Sequence, residues 1–179
     1  MKEKEEYAIV LDYLQNGYPL EKKLMPIAQA VGEKNLTLLE LVPRRGMSLN
    51  TGEKVYIGEG KRDKIYYILG KLPLPRLTEA AKNQLQEFVE GIVKEQESRF
   101  VDFFNKAEAI NKRMHQVELL PGFGRKHTQE ILEKRKEKSF TSFEDIKKRI
   151  SNLPDPEKAV EKRIIQELTS EERYNLFIN

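Results

Sequence analysis

The stretch that decides the fold is Leu119–Leu132, LLPGFGRKHTQEIL, in which a Pro-Gly-x-Gly turn stands between two segments of helical pattern. Gly122 and Gly124 can adopt φ > 0, and because they lack a Cβ they leave the main chain of the turn open. The N–H groups that begin the second helix have no intrahelical partner and lie at the positive end of its dipole. Such a main chain suits a phosphate oxygen, and Arg125 and Lys126 add full positive charges there.

Both flanks of the turn show helical spacing of apolar residues. Ile131 and Leu132 fall where the second helix would pack back on the first. The apolar positions before the turn are those expected for the buried side of a first helix, namely Ile110, Met114, Val117 and Leu120. The sequence therefore predicts a pair of helices joined by the turn, over about residues 107–135.

A further helix is expected in Ser139–Ile146, SFTSFEDI. Ser142 is an N-cap candidate, and Asp145 three residues later is an acidic version of the capping-box partner. Phe140 and Phe143 are expected to be buried against the hairpin.

The turn and the run that follows it resemble the helix-hairpin-helix motif, which holds DNA or RNA by the sugar-phosphate chain. A similar run of Phe, Ser and Asp-aliphatic residues follows the hairpin in many such proteins, including DNA repair and competence proteins. An unrelated turn between packed helices is the alternative. The resemblance implies nucleic-acid contacts from the turn and its helix, at Pro121, Gly122, Phe123, Gly124, Arg125, Lys126, His127 and Lys134.

A fainter copy of the hairpin follows at an offset of 33 residues, over about 146–168. Leu153–Lys158 aligns with Leu120–Arg125, but acidic residues replace both glycines and would repel a phosphate. In families with two hairpins the pair packs as one unit, and this copy would then only support the first. The alternative is an ordinary helix that Pro156 begins near its first turn.

Composition narrows the class of protein. The 179 residues, 39% hydrophobic and 34% charged, suffice for one medium domain or two small ones with a heavily charged surface. No cysteine is present, which excludes disulfides and cysteine-ligated zinc, and two histidines are too few for a His-rich metal site. No apolar run approaches the ~20 residues that span a bilayer, and the N-terminus lacks a secretion signal. We expect no cofactor, no membrane partner and a cytoplasmic location.

Positive charge is concentrated in two zones. The net charge of +3 is too small by itself to indicate a nucleic-acid partner. Residues 106–150 carry 12 Lys and Arg against 7 Asp and Glu, and residues 43–64 carry 6 against 3. The first zone coincides with the hairpin. Since such runs are usually solvated faces, they support the motif without establishing it.

Residues 1–75 are expected to form a small five-stranded β-barrel, OB-like or SH3-like. Short runs rich in Val, Ile, Leu and Tyr are separated by turn signals. Five short strands joined by tight turns favour a small closed barrel. Residues 43–52 leave no room for the helix usual in an OB-fold. The expected strands are 7–14, 24–31, 36–42, 53–58 and 64–72.

The prolines at 73 and 75 predict a domain boundary. Residues 76–179 are expected to be all helical, which makes the fold class α+β. The first long helix should begin at Thr78, and polar residues 95–99 should divide it from the next.

The barrel offers a second basic surface. Small barrels bind single strands by stacking bases on exposed aromatic rings while basic loops follow the phosphates. Because Tyr66 and Tyr67 are adjacent in a strand, only one of them can be core, and Tyr67 is assigned to stacking. The alternative is that these tyrosines cap the edge of the core. The basic residues assigned to this surface are Arg44, Arg45, Lys54, Lys61, Arg62 and Lys64.

A basic β-barrel followed by a helix-hairpin-helix region resembles, over essentially the full chain, an uncharacterised archaeal protein family predicted to bind nucleic acid. The resemblance implies a fold and a class of partner, DNA or RNA, but no activity. The sequence contains no serine elbow, Walker-type loop or metal-ligand cluster at known spacing. We therefore expect a nucleic-acid-binding protein without sequence specificity, not an enzyme, in RNA- or ribosome-related or DNA-maintenance work. The alternatives are a protein-interaction adaptor and a metal-dependent nuclease, and the oligomeric state stays open.

Overall fold

The computed structural model describes residues 3–178 and divides into two compact units. One unit comprises the residues up to Phe88 together with those from Glu167 onward, and the other is Val89–Gln166. The domain boundary expected at residue 75 lies inside the first unit.

The first unit is built on a five-stranded antiparallel sheet that curls into a half-barrel. Its strands lie in the order β4-β1-β2-β3-β5, which places β4 beside β1 as in a Greek key. In the part of the chain that the structure describes, β4 has three residues and pairs with β1 alone, so the expected closed barrel is open between β4 and β5. The strands are β1 Tyr7–Leu14, β2 Ile27–Gly32, β3 Leu38–Pro43, β4 Lys54–Tyr56 and β5 Ile65–Lys71.

Among the described residues five α-helices follow the sheet, which confirms the α+β class. They are α1 Glu79–Glu95, α2 Glu97–Lys106, α3 Arg125–Glu137, α4 Phe143–Arg149 and α5 Pro156–Thr169. The predicted break over residues 95–99 separates α1 from α2. Ser142 Oγ accepts the Asp145 N–H at 2.9 Å, so Ser142 is the N-cap of α4 as predicted. Phe140 and Phe143 are both buried, also as predicted.

Hydrogen bonds from the buried Gln29 join the connector after β5 to the sheet. Gln29 Nε2 donates to the carbonyl of Arg76 at 2.7 Å, and its Oε1 accepts the Thr78 N–H at 3.1 Å. Thr78 Oγ1 donates to Asp12 Oδ2 at 2.7 Å and accepts a main-chain N–H of the first turn of α1, so the predicted helix start is confirmed. Because these bonds attach the start of α1 to the sheet, the proline-rich connector does not separate the units.

The first helix expected before the Pro-Gly-x-Gly turn is not formed. The short strands β6, Ala109–Asn111, and β7, Met114–His115, form an antiparallel hairpin, and a single 3₁₀ helix, Gln116–Leu119, leads into the turn. The hairpin bends at an Asx turn, in which Asn111 Oδ1 accepts the Arg113 N–H at 2.8 Å. This local hydrogen bond competes with helix formation, so the second half of the chain is not all helical.

Candidate nucleic-acid interface

Gly122 determines the shape of the turn before α3. Its φ of +84° lies in the left-handed region that favours glycine, and a Cβ would lie 3.2 Å from Pro154 Cγ. The Phe123 N–H donates to the Leu120 carbonyl at 3.1 Å, and the buried Phe123 ring lies 6.1 Å from that of Phe104. Burial of its ring leaves only the main chain of Phe123 available to a partner.

We expect Gly122→Ala to lower the free energy of unfolding by about 1–2 kcal/mol, because a left-handed conformation costs an L-residue roughly that much. Chemical denaturation followed by circular dichroism would measure the change. Gly124→Ser is the matched control, since Ser also caps a helix, Gly124 has φ −121° and no atom lies within 4 Å of its would-be Cβ. An equal loss of stability in both variants would contradict this account of the turn.

Gly124 leaves the start of α3 open. It is the N-cap of this 13-residue helix, and the space that its missing side chain would fill is empty. The N–H groups of Arg125, Lys126 and His127 form the first helical turn, where no preceding carbonyl of the helix can accept them. This end of α3 therefore offers main-chain donors at the positive end of a helix dipole.

The ring of His127 links the two turns of the second unit. Its Nδ1 accepts the Gly124 N–H at 3.1 Å, and its Nε2 lies 3.2 Å from the carbonyl oxygen of Asn152. An accepting Nδ1 in a neutral ring leaves the proton on Nε2, which then donates to Asn152. The Gly124 N–H is thus already bonded, and both ring nitrogens of His127 are engaged within the protein.

The second turn, residues 150–155, has no comparable opening. Asp155 Oδ1 accepts the N–H groups of Glu157 and Lys158 at 3.0 and 3.3 Å, so a carboxylate already occupies the start of α5. The helices α4 and α5 flank this turn, as a degenerate second hairpin requires. Pro156 is also the first residue of α5, as the alternative expects. In both interpretations the carboxylate of Asp155 makes this turn a poor phosphate site.

The 3₁₀ helix that enters the turn is capped by its own side chains. His115 Nδ1 accepts the Val117 N–H at 3.2 Å, and Glu118 Oε2 accepts the His115 N–H at 2.7 Å. Burial, together with the positive charge of Arg135, lowers the pKa of His115. Since protonation would remove the acceptor at Nδ1, the neutral ring is the form that fits this cap.

The cationic side chains of α3 differ in position. Lys126 is exposed at the first turn, and Arg125 beside it has a side chain 76% exposed, with its Nε 3.9 Å from the Glu118 carboxylate. Lys134 lies nine residues after Arg125, about 14 Å along the helix, and its Nζ pairs with the Glu137 carboxylate at 3.6 Å. The structure therefore brings Arg125 and Lys126 to the turn but not Lys134.

Three of the basic residues expected to contact phosphate on the first unit are engaged by neighbours. Lys54 pairs with Glu33 at 3.0 Å, and Arg62 Nε donates to a carbonyl of its own loop at 2.7 Å. Lys64 forms an ion pair with Glu53, and its hydrogen bond lowers the pKa of that carboxyl. Their charges are accordingly less available to a partner.

Arg44 and Arg45 line a cleft of about 580 Å³ on the first unit, which we call the arginine cleft. Tyr13, Met47 and Tyr66 also line it. The cleft gathers residues from the ends of β1, β3 and β5, which only the folded sheet brings together. Of the basic residues assigned to the barrel surface from the sequence, the cleft lining contains Arg44 and Arg45.

Tyr66, rather than Tyr67, lies in the arginine cleft. Both side chains are exposed, by 63% and 36%, and their rings meet edge to face at 5.3 Å. Neither ring therefore belongs to the core of the sheet. Tyr67, which was assigned to stacking from the sequence, does not line this cleft, and the sequence offered no signal for Tyr13.

Residues 3–178 offer neither a metal-binding cluster nor a membrane-spanning helix. No group of three or more His, Asp or Glu side chains there is placed to hold a metal ion. No helix in the same range is long and apolar enough to cross a membrane.

Over the described residues, a curled Greek-key sheet followed by five helices defines a small α+β protein with a half-barrel. Over residues 4–179 the chain matches, and belongs to, the family described as "Protein of unknown function (DUF655)". It is 43% identical over 176 residues to "Uncharacterized protein MJ0038" of Methanocaldococcus jannaschii, a match that covers 97% of this chain and 80% of that protein. The crystal structure of Af1531 from Archaeoglobus fulgidus, titled as a model for the same family, is 44% identical, with a TM-score of 0.83. That match covers 98% of this chain and all of the other. The expected resemblance to an uncharacterised archaeal family is confirmed.

Proposed function

We propose that this protein binds nucleic acid by its sugar-phosphate backbone, without reading the base sequence. The turn Pro121–Lys126 and the start of α3 would form the phosphate contact, in the manner of a helix-hairpin-helix motif. One observation carries this proposal, namely the opening at Gly124. There the first-turn N–H groups of a long helix follow a residue without a side chain, with Arg125 and Lys126 exposed beside them.

A phosphate at this position would accept main-chain hydrogen bonds and lie at the positive end of the helix dipole. Two cationic side chains would neutralise its charge with charge-assisted bonds. Contacts of this kind position a protein on the backbone but carry no direct sequence information. Since a single 3₁₀ turn stands where the motif has its first helix, the proposal depends on the turn and α3 alone.

The distribution of charge supports the same partner. The excess of Lys and Arg over residues 106–150 surrounds the turn, and the arginine cleft adds a second positive site on the other unit. Recognition of the nucleic-acid backbone depends on such clusters of positive charge, because each phosphate that they neutralise releases counterions.

A titration with short nucleic acids tests the proposal. We expect the full-length protein to bind labelled 20-mers of DNA or RNA, with little difference between unrelated sequences and no cleavage in the presence of Mg²⁺. At physiological salt the dissociation constant should lie in the usual range for non-specific binding, roughly 10⁻⁴–10⁻⁶ M.

Fluorescence anisotropy would measure the affinity, and denaturing gels of the same mixtures would report cleavage. Absence of binding even at low salt would reject the proposal and favour a protein-interaction adaptor. Cleavage that requires the divalent ion would favour a nuclease instead. Parallel DNA and RNA strands of one sequence would show whether the 2′-hydroxyl contributes.

A further inference from the structure

We propose that the arginine cleft binds an unpaired nucleotide, with the base stacked on Tyr66 and the phosphate held by Arg44 and Arg45. This inference rests on the proposed function. It adds that single-stranded segments of nucleic acid are preferred over duplexes.

The charge and size of the cleft favour a nucleotide. Its lining contains two arginines and no acidic residue, so an anionic ligand is favoured. A volume of about 580 Å³ lies within the range typical of small-molecule sites, roughly 300–1,000 Å³. A phosphate together with one base therefore fits both the charge and the space.

The walls supply the apolar surface that a base requires. Tyr66 presents a ring that is 63% exposed, and Met47 beside it is 40% exposed. Tyr13 also lines the cleft, and its hydroxyl donates to the Met47 carbonyl at 3.3 Å. Gln15 and Asn16 also line the cleft, and their amides can donate to and accept from the edge of a base.

The arginine turn is ordered by its own hydrogen bonds. The Arg44 N–H donates to the Lys64 carbonyl at 2.8 Å, and the Met47 N–H donates to the Arg44 carbonyl at 3.0 Å. Arg44 Nε donates to the Arg62 carbonyl at 2.7 Å, which leaves the two terminal amino groups of the guanidinium for a phosphate. Because these bonds exist without a ligand, binding needs little further ordering of the turn.

A duplex cannot use this site in the same way. Its bases are stacked on one another and paired at their edges, whereas stacking on a protein ring requires an unpaired base. The cleft therefore distinguishes single strands from duplexes, which the turn before α3 is not expected to do.

The test compares one mixed-sequence 12-nucleotide single strand with the blunt duplex of the same sequence, both fluorescein-labelled. Tyr66→Ala should weaken binding of the single strand about tenfold, as expected for loss of one stacking contact, and leave duplex binding unchanged. Tyr66→Phe, which keeps the ring, should retain the affinity. Leu69→Ala is the control, since Leu69 lies on the same strand and is 43% exposed but does not line the cleft.

Each outcome decides between the two proposals. Unchanged single-strand affinity in a folded Tyr66→Ala variant would overturn the cleft proposal, while duplex binding by the wild-type protein would leave the proposed function standing. An equal loss on single strand and duplex would also overturn it, because that pattern indicates a structural effect. Absence of binding to either probe would reject the proposed function and this inference together. Photo-crosslinking of a 5-bromouracil single strand to Tyr66 or Tyr13 would support the cleft directly.

Discussion

Gly124→Asp is expected to weaken nucleic-acid binding by about 10- to 150-fold while the protein remains folded. The new carboxylate would accept the first-turn N–H groups of α3 and would repel a phosphate from the same place. Loss of one hydrogen bond to a charged group is worth about 1.5–3 kcal/mol, which corresponds to that range of dissociation constants.

The fold should tolerate this change. Gly124 has a φ of −121°, which any residue can adopt, and open space where a Cβ would stand. Asp is moreover a preferred N-cap residue, so the free energy of unfolding should stay the same or rise. Stability and affinity are therefore expected to change in different directions, which a folding defect would not produce.

Gly124→Asn is the matched control for charge. Its side chain has nearly the same shape and also caps a helix, but it carries no charge. It should weaken binding less than Asp does, and the difference between the two variants measures repulsion of the phosphate. Full wild-type affinity in a folded Gly124→Asp protein would reject the phosphate contact at this turn.

Binding is also expected to weaken by orders of magnitude as salt rises. Five exposed basic residues assigned from the sequence remain for phosphate contacts. They are Arg44, Arg45, Lys61 and Lys126, together with Arg125, whose Nε lies 3.9 Å from the Glu118 carboxylate. Each neutralised phosphate contributes about −0.9 to the slope of log affinity against log salt on duplex DNA, and about −0.7 on single strands. If all five act, affinity for a duplex should fall roughly 500-fold between 50 and 200 mM salt.

Titrations at four salt concentrations would measure the slope. Lys126→Ala should make it shallower by about one phosphate contact and lower the affinity similarly for all sequences. A flat response, or strong preference for one base sequence, would contradict recognition of the backbone.

Local rules account for the parts of the fold that the sequence predicted. The five strands were found because short β-branched and aromatic runs end at turn residues. The helix starts at Thr78 and Ser142 were found because a hydroxyl before a helical pattern caps the first turn. Each of these signals lies within a few residues of the structure it predicts.

The helix expected before the turn shows the limit of such signals. Ile110, Met114 and Val117 have helical spacing, yet Asn111 bends the chain into a β-hairpin. A period of three or four over so few residues is weak evidence, and one side-chain hydrogen bond is enough to override it.

By itself, the sequence determined the α+β class, the five strands, the capped helices and the glycine turn that offers main-chain donors. Only the tertiary structure decided that the sheet stays open, that Tyr66 rather than Tyr67 joins the arginines, and that His127 ties the two turns together. The reason is physical. Caps, turns and periodicity depend on neighbours along the chain, whereas a cleft, an open sheet edge or a link between turns depends on residues far apart in sequence. Tyr13, Arg44 and Tyr66 meet only because β1, β3 and β5 fold into one curled sheet.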